Sequence, residues 1–171
     1  MEYVDGRDIM AWARERRLDL DGRLQLFREV CSAVDYAHRN LVVHRDLKPA
    51  NILLDAAGNP LISDFGVARS LGSTGLTHTG AIVGTPDYLA PEQARGDTVD
   101  ARADLYALGL VLYEMLGGEP AFSGSTAAES LARRMVAGPP GIETLRPDLP
   151  AWVARAWVAV FKALSPADSA P

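Results

Sequence analysis

The sequence predicts a mainly α-helical domain packed around one central apolar helix, with short β-hairpins carrying a polar loop. Three observations predict it. Apolar residues recur at helical spacing through several stretches. One of these, Asp100 to Leu116, is apolar on every side, as a helix buried all round must be. The polar run from His44 to Asn51 is bracketed by short aliphatic runs of the kind that form strands.

Along the chain, Gly6 to Arg17 reads as a short helix with Ile9, Trp12 and Ala13 on one face. A longer helix is predicted from about Asp21 to Arg39, where Leu24, Phe27, Val30, Cys31, Val34 and Ala37 share a stripe. Asn40 is expected to end it in the left-handed conformation that asparagine tolerates. Leu41-Val42-Val43 and Ile52-Leu53-Leu54 read as strands flanking the polar loop. Asp55 to Asn59 is turn chemistry, and Leu61-Ile62-Ser63 returns as the partner strand with Pro60 at its first position, where a missing donor is tolerable.

From Gly66 to Pro91 the sequence is rich in Gly, Ser and Thr and lacks helical period. A connection that long inside a compact domain is usually functional. The helix from Asp100 to Leu116, with Leu105, Leu108, Leu112 and Met115, is the expected central post. Ser125 to Val136 and Trp152 to Leu164 give two more helices, separated by Gly138-Pro139-Pro140-Gly141.

Composition excludes several classes of function. The chain has 171 residues, 48% hydrophobic and 23% charged, enough for one domain with a core. Its net charge of −5 argues against a nucleic-acid surface, and its apolar stretches are interrupted well before a bilayer could be spanned. No signal peptide is visible, since Glu2 and Asp5 stand where a basic and then apolar segment is required. A lone cysteine, Cys31, allows neither an intrachain disulfide nor a thiolate metal cluster and reads as a buried helix residue.

The chemistry-bearing residues are concentrated in His44-Arg45-Asp46-Leu47-Lys48-Pro49-Ala50-Asn51, Asp64-Phe65-Gly66 and Gly84-Thr85-Pro86-Asp87-Tyr88-Leu89-Ala90-Pro91-Glu92. Phosphoryl transfer needs metal ions to neutralise a triphosphate, a carboxylate to orient the attacking hydroxyl, and a cation near the moving group. Asp46 is the candidate base. Asn51 and Asp64 offer the hard oxygen ligands that suit Mg2+, and Lys48 supplies a point charge two residues from Asp46. Singly, an Asp in a loop is a turn former and an Asp-Phe-Gly is weak; in this order and spacing the conjunction is specific.

These residues resemble the motif set of the serine/threonine protein kinases, in particular the bacterial, eukaryotic-like ones. The resemblance implies a protein-kinase-like large C-terminal lobe, with ATP and Mg2+ as cofactors and protein Ser/Thr hydroxyls as acceptors. It makes Asp46 the catalytic-loop base, Lys48 the γ-phosphate lysine, and Asn51 and Asp64 the magnesium ligands. Thr85 resembles the threonine that bonds Asp46 and Lys48. Asp104 resembles the helix aspartate that anchors the catalytic loop, and His44 and Phe65 resemble members of the hydrophobic spine. Leu53 would floor the adenine pocket, and the backbones of Glu2 and Val4 would bond the adenine edge. Arg45 beside the base suits a phosphate brought in by the 66–91 loop, with Thr77 and Thr79 as the best acceptors and Ser70, Ser73 and Thr74 as weaker ones.

The resemblance also implies that 1–171 is a partial domain, hinge and large lobe. The Gly-rich phosphate loop, the strand lysine and the glutamate-bearing helix of the small lobe are not found in it, nor is the last helix of the large lobe. Ser169 stands where the family has an arginine to pair with Glu92. A chain so bounded is expected to be inactive alone, its small lobe supplied by an upstream segment or a partner. Two other readings compete with a kinase segment: a non-catalytic binding module using the large lobe's substrate groove, and a decayed remnant. A cytoplasmic location follows from the need for ATP and the lone thiol, with membrane attachment of a longer parent compatible.

Overall fold

In the computed structural model, residues 6–65, 86–122, 124 and 126–164 are described. Secondary structure is mainly helical, as the sequence predicts, with one small antiparallel sheet in the order β1-β2-β3. These strands are β1 (Arg7–Asp8), β2 (Ile52–Leu54) and β3 (Pro60–Ile62). Leu53 pairs with Asp8 on one side and Leu61 on the other. Along β2 the side chains alternate: Ile52 and Leu54 are buried in the core, while Leu53 projects half-buried from the opposite face.

Helix α1 (Ile9–Glu15) begins later than its apolar spacing implies. The Asp8 carboxylate accepts the Met10 and Ala11 N–H groups at 3.0 and 2.9 Å, which fixes the helix start and leaves Arg7 and Asp8 extended as β1. A cap of this kind is worth about 1 kcal/mol. Helix α2 (Leu20–Arg39) is capped by Asp19, and its buried stripe is Leu26, Val30 and Val34. Cys31 is half-buried against the same core, which raises its thiol pKa to about 11.

Two local expectations at the end of α2 are corrected. Asn40 is not left-handed (φ −93°); Leu41 is, at φ 62°. The 41–43 segment is not a strand, because the Leu41 and Val42 N–H groups turn back onto the carbonyls of His38 and Ala37 at 2.9 and 3.0 Å. Leu41 and Val42 are therefore exposed, at 94% and 42%. The edge of β2 that this segment could have taken is occupied by β1 instead.

Helix α3 (Pro91–Arg95) follows the long loop and ends at Gly96, whose φ of 76° only glycine adopts freely. Helix α4 (Ala101–Gly117) is the central post. It is buried on two sides because two cores meet along it. Ala107, Leu108, Val111 and Met115 face α1, α2 and β2. Ala103, Tyr106, Leu110 and Tyr113 face α6 (Ile142–Leu145) and α7 (Ala151–Leu164), which contribute Ile142, Val153, Trp157 and Phe161. Leu105 departs from the expectation of burial all round and is 42% exposed. Helix α5 (Ala127–Val136), capped by Thr126, packs beside α3. Among the described residues no helix is long and apolar enough to cross a membrane.

Candidate active site

The polar loop 44–51 follows the turn after α2 and enters β2 through a short 3-10 turn, Pro49–Asn51, so its C-terminal end is held by a rigid element. Leu47, Pro49 and Asn51 turn inward and are buried, which anchors the middle of the loop. The anchor beneath it is Asp104 on α4. Its carboxylate is 1% exposed and accepts the backbone N–H of His44 and of Arg45, each at 2.8 Å, together with His38 Nε2 at 2.8 Å. A buried carboxylate is stable only when donors surround it, and here three do so.

His44 is buried with both ring nitrogens engaged. Nδ1 accepts the Asp46 N–H at 3.2 Å, so Nε2 carries the proton and donates to the Ser63 carbonyl at 2.8 Å. One imidazole thus ties the loop to the strand-end segment that precedes Asp64. Phe65 packs against it at a tilt, ring centroids 4.7 Å apart and planes at 47°. Ser63 N–H also donates to the Asn51 carbonyl at 2.9 Å, which ties the start of the β2–β3 hairpin, where Asn51 lies, to its end, just before Asp64.

The Asp46 carboxylate meets Lys48 Nζ at 2.9 Å, with both side chains about one-quarter exposed. Asn51 Nδ2 donates to the Asp46 carbonyl at 2.8 Å and approaches its carboxylate at 3.4 Å. This fixes the amide through its nitrogen, and Oδ1 is the atom that remains as an acceptor. Asp64 is exposed and left-handed, φ 56°. Asn51 Oδ1 and the Asp64 carboxylate are the hard oxygen donors that fit Mg2+, an ion that keeps several waters and takes few protein ligands. Among the described residues no group of three or more His, Cys, Asp or Glu is placed to hold a metal ion.

The sequence-predicted residues His44, Arg45, Asp46, Lys48, Asn51, Asp64, Phe65 and Asp104 therefore come together around one loop, and Leu53 lies on the open face of the adjoining strand. Glu92 is half-buried at the start of α3, where its charge acts on Arg102 and Tyr106. Glu2, Val4, Thr77, Thr79 and Thr85 lie outside the described residues, as do Ser70, Ser73, Thr74 and Ser169.

Sequence reasoning missed the residues that fasten the 86–93 segment. Gln93 Nε2 donates to the Arg45 carbonyl at 2.8 Å, and its Oε1 accepts the Ala90 N–H at 3.1 Å. From α5, buried Arg134 donates to the Leu89 carbonyl at 3.0 Å and lies over the Phe122 ring; burial lowers its pKa. Ser130 Oγ lies 2.7 Å from Asp87 Oδ1 and 2.9 Å from the Phe122 carbonyl, so its single proton serves one at a time. Tyr88 donates its hydroxyl to Glu114 of α4. Ser130 and Arg134 are polar residues one helical turn apart on the packed face of α5, a signal the sequence does contain.

A loop pinned to a central helix by a buried aspartate, carrying Asp, Lys and Asn side chains that converge, and joined through a hairpin to Asp-Phe-Gly, defines a protein kinase large lobe. The chain belongs to the protein kinase domain family, which it matches over residues 1–149. It is similar to serine/threonine-protein kinase PknB of Mycobacterium tuberculosis, 47% identical over 131 residues covering 74% of this chain and 21% of that protein. It is also similar to serine/threonine-protein kinase PrkC of Bacillus subtilis, 40% identical over 151 residues covering 88% of this chain and 23% of that protein. The resemblance to bacterial serine/threonine kinases holds. The chain spans about a fifth to a quarter of the length of the curated relatives it matches.

Proposed function

We propose that this chain supplies the catalytic loop, metal ligands and acceptor-facing segment of a protein serine/threonine kinase, which transfers the γ-phosphoryl group of ATP to Ser or Thr hydroxyls of proteins. The observation that supports this reading best is the Asp46 carboxylate held beside Lys48 at 2.9 Å on a loop whose backbone is fixed by Asp104. Such chemistry is mostly positioning and charge stabilisation, and this loop is built for positioning.

In this reading Asp46 accepts a hydrogen bond from the acceptor hydroxyl and aligns its oxygen for attack. Lys48, drawn to Asp46 here, would turn toward the γ-phosphate, and Thr85 would bridge the two. Mg2+, when bound by Asn51 and Asp64, neutralises the triphosphate. Leu53 presents an apolar floor to adenine, whose edge the backbones of Glu2 and Val4 would bond. The family's ATP-covering motifs are not among residues 1–171, so residues outside them, from the same protein or a partner, complete the nucleotide site. Residues 1–171 then form the hinge and large lobe of that domain. Phosphate on Thr77 or Thr79 would find a bidentate partner in Arg45.

The test is phosphotransfer from ATP-Mg2+ by the full-length protein, to itself and to a generic Ser/Thr substrate. Asp46→Asn should lower kcat by about 10²- to 10⁴-fold while ATP binding persists. Transfer unaffected by Asp46→Asn would remove the basis of the assignment. Peptide mapping of the active protein should find phosphate on Thr77 or Thr79.

A further inference from the structure

We propose that Gln93 is a positioning residue for the catalytic loop, holding Arg45, and through it Asp46, in the geometry that phosphotransfer requires. This rests on the kinase reading of Asp46. Arg45 is a non-glycine residue at φ 67°, in the left-handed region where an L side chain is strained. Such a conformation persists only when its surroundings over-determine it. Both of its backbone polar groups are pinned by side chains from different elements. Its N–H is held by Asp104 of α4 and its C=O by Gln93 of α3, each at 2.8 Å.

The Gln93 amide admits one orientation. The Ala90 N–H needs an acceptor and the Arg45 carbonyl needs a donor, so a flipped amide would break both bonds at once. Ala90 is fully buried, and its neighbour Leu89 is held by Arg134. The side chain therefore couples the Ala-Pro-Glu segment to the peptide immediately before Asp46. Only the N–Cα, Cα–Cβ and Cβ–Cγ bonds of Asp46 separate its carboxylate from the peptide whose carbonyl Gln93 fixes. Loss of the Gln93 bond removes one of the restraints on the Arg45–Asp46 peptide, whose N–H rests on His44 Nδ1 at 3.2 Å, and lets the carboxylate shift from the acceptor hydroxyl.

Two variants of the full-length protein test this. Gln93→Glu keeps an acceptor for the Ala90 N–H but sets a carboxylate oxygen against the Arg45 carbonyl. Gln93→Met keeps the length and removes both bonds. Both should lower kcat by about 10- to 100-fold, with the KM for ATP changed less than about twofold, the signature of misplacement rather than lost binding. Independently of activity, amide hydrogen exchange at Arg45, Asp46 and Leu47 should speed up about tenfold or more in both variants, beyond any change in the core of α4. Unchanged exchange at those three amides, or a kcat within about twofold of wild type in both variants, would overturn the proposal. If the wild-type protein transfers no phosphate, the kinase reading fails, and the exchange data still decide whether Gln93 holds the loop.

Discussion

Asp104 Oδ2 lies 2.8 Å from the backbone nitrogen of His44, a contact between residues 60 apart in sequence. It converts the rigidity of the central helix into the position of the loop. With Oδ1 on the Arg45 N–H, one carboxylate fixes two consecutive peptides. Asp104→Ala would leave those donors buried without a partner, at about 1–3 kcal/mol each. The variant should therefore lose about 3 kcal/mol or more in urea unfolding. Asp104→Asn should lose less, since its carbonyl still accepts from one side. A loss below about 1 kcal/mol for the alanine variant would show that water replaces the carboxylate there.

Gly109 lies under Phe161, where α4 and α7 make their close approach. A Cβ added at Gly109 would come within 2.6 Å of the Phe161 ring, and Trp157 Nε1 donates to the Gly109 carbonyl at 3.3 Å. Alanine normally favours a helix interior by about 1 kcal/mol over glycine. Here the steric clash reverses that preference. Gly109→Ala should destabilise by about 1–3 kcal/mol, the usual cost of overpacking a core. The double variant Gly109→Ala with Phe161→Leu should recover part of that loss, because the atoms met at 2.6 and 2.7 Å belong to the ring edge. Thermal melting of the two variants against wild type checks both statements.

The fold was legible where periodicity and chemistry agreed. The central helix announced itself by being apolar all round, and the structure supplies the reason: it serves two cores at once. The strand expected at 41–43 failed because three aliphatic residues in a row carry no information on direction. The carbonyls of Ala37 and His38 claimed their N–H groups before a strand could form. At the site, the residues that do chemistry are visible as motif letters because their types are restricted by phosphate and metal. Gln93 was not, and Ser130 and Arg134 showed only as polar residues one turn apart on α5, since the roles of all three depend on backbone carbonyls brought near by tertiary packing. The carbonyls of Arg45 and Leu89 leave no trace in side-chain identity.

Burial of Glu114 gives a pH dependence of unusual sign, which its bond from Tyr88 opposes. Glu114 is partly buried on α4, and its carboxyl pKa is raised, first by burial, opposed by the Tyr88 hydroxyl, and further by the charges of Asp8 and Asp87. Tyr88 is pushed up in turn by burial and by Glu114. A carboxyl whose folded pKa lies above its ordinary value of 4.5 favours the fold when protonated. Its contribution is complete below that ordinary value and is lost as pH rises through the folded one. Once ionised, Glu114 is a net cost that the tyrosine bond only partly offsets. Asp55, Asp100 and Asp148 have lowered pKa values and act in the opposite sense, losing their contribution as pH falls. Glu114→Gln keeps an acceptor for Tyr88 and removes the charge. Its melting temperature should exceed that of wild type at pH 7, and the gap should close as pH falls toward about 4.5. A gap independent of pH would mean that the gain comes from packing, and equal melting at pH 7 would mean that Glu114 is solvated well enough to ionise freely.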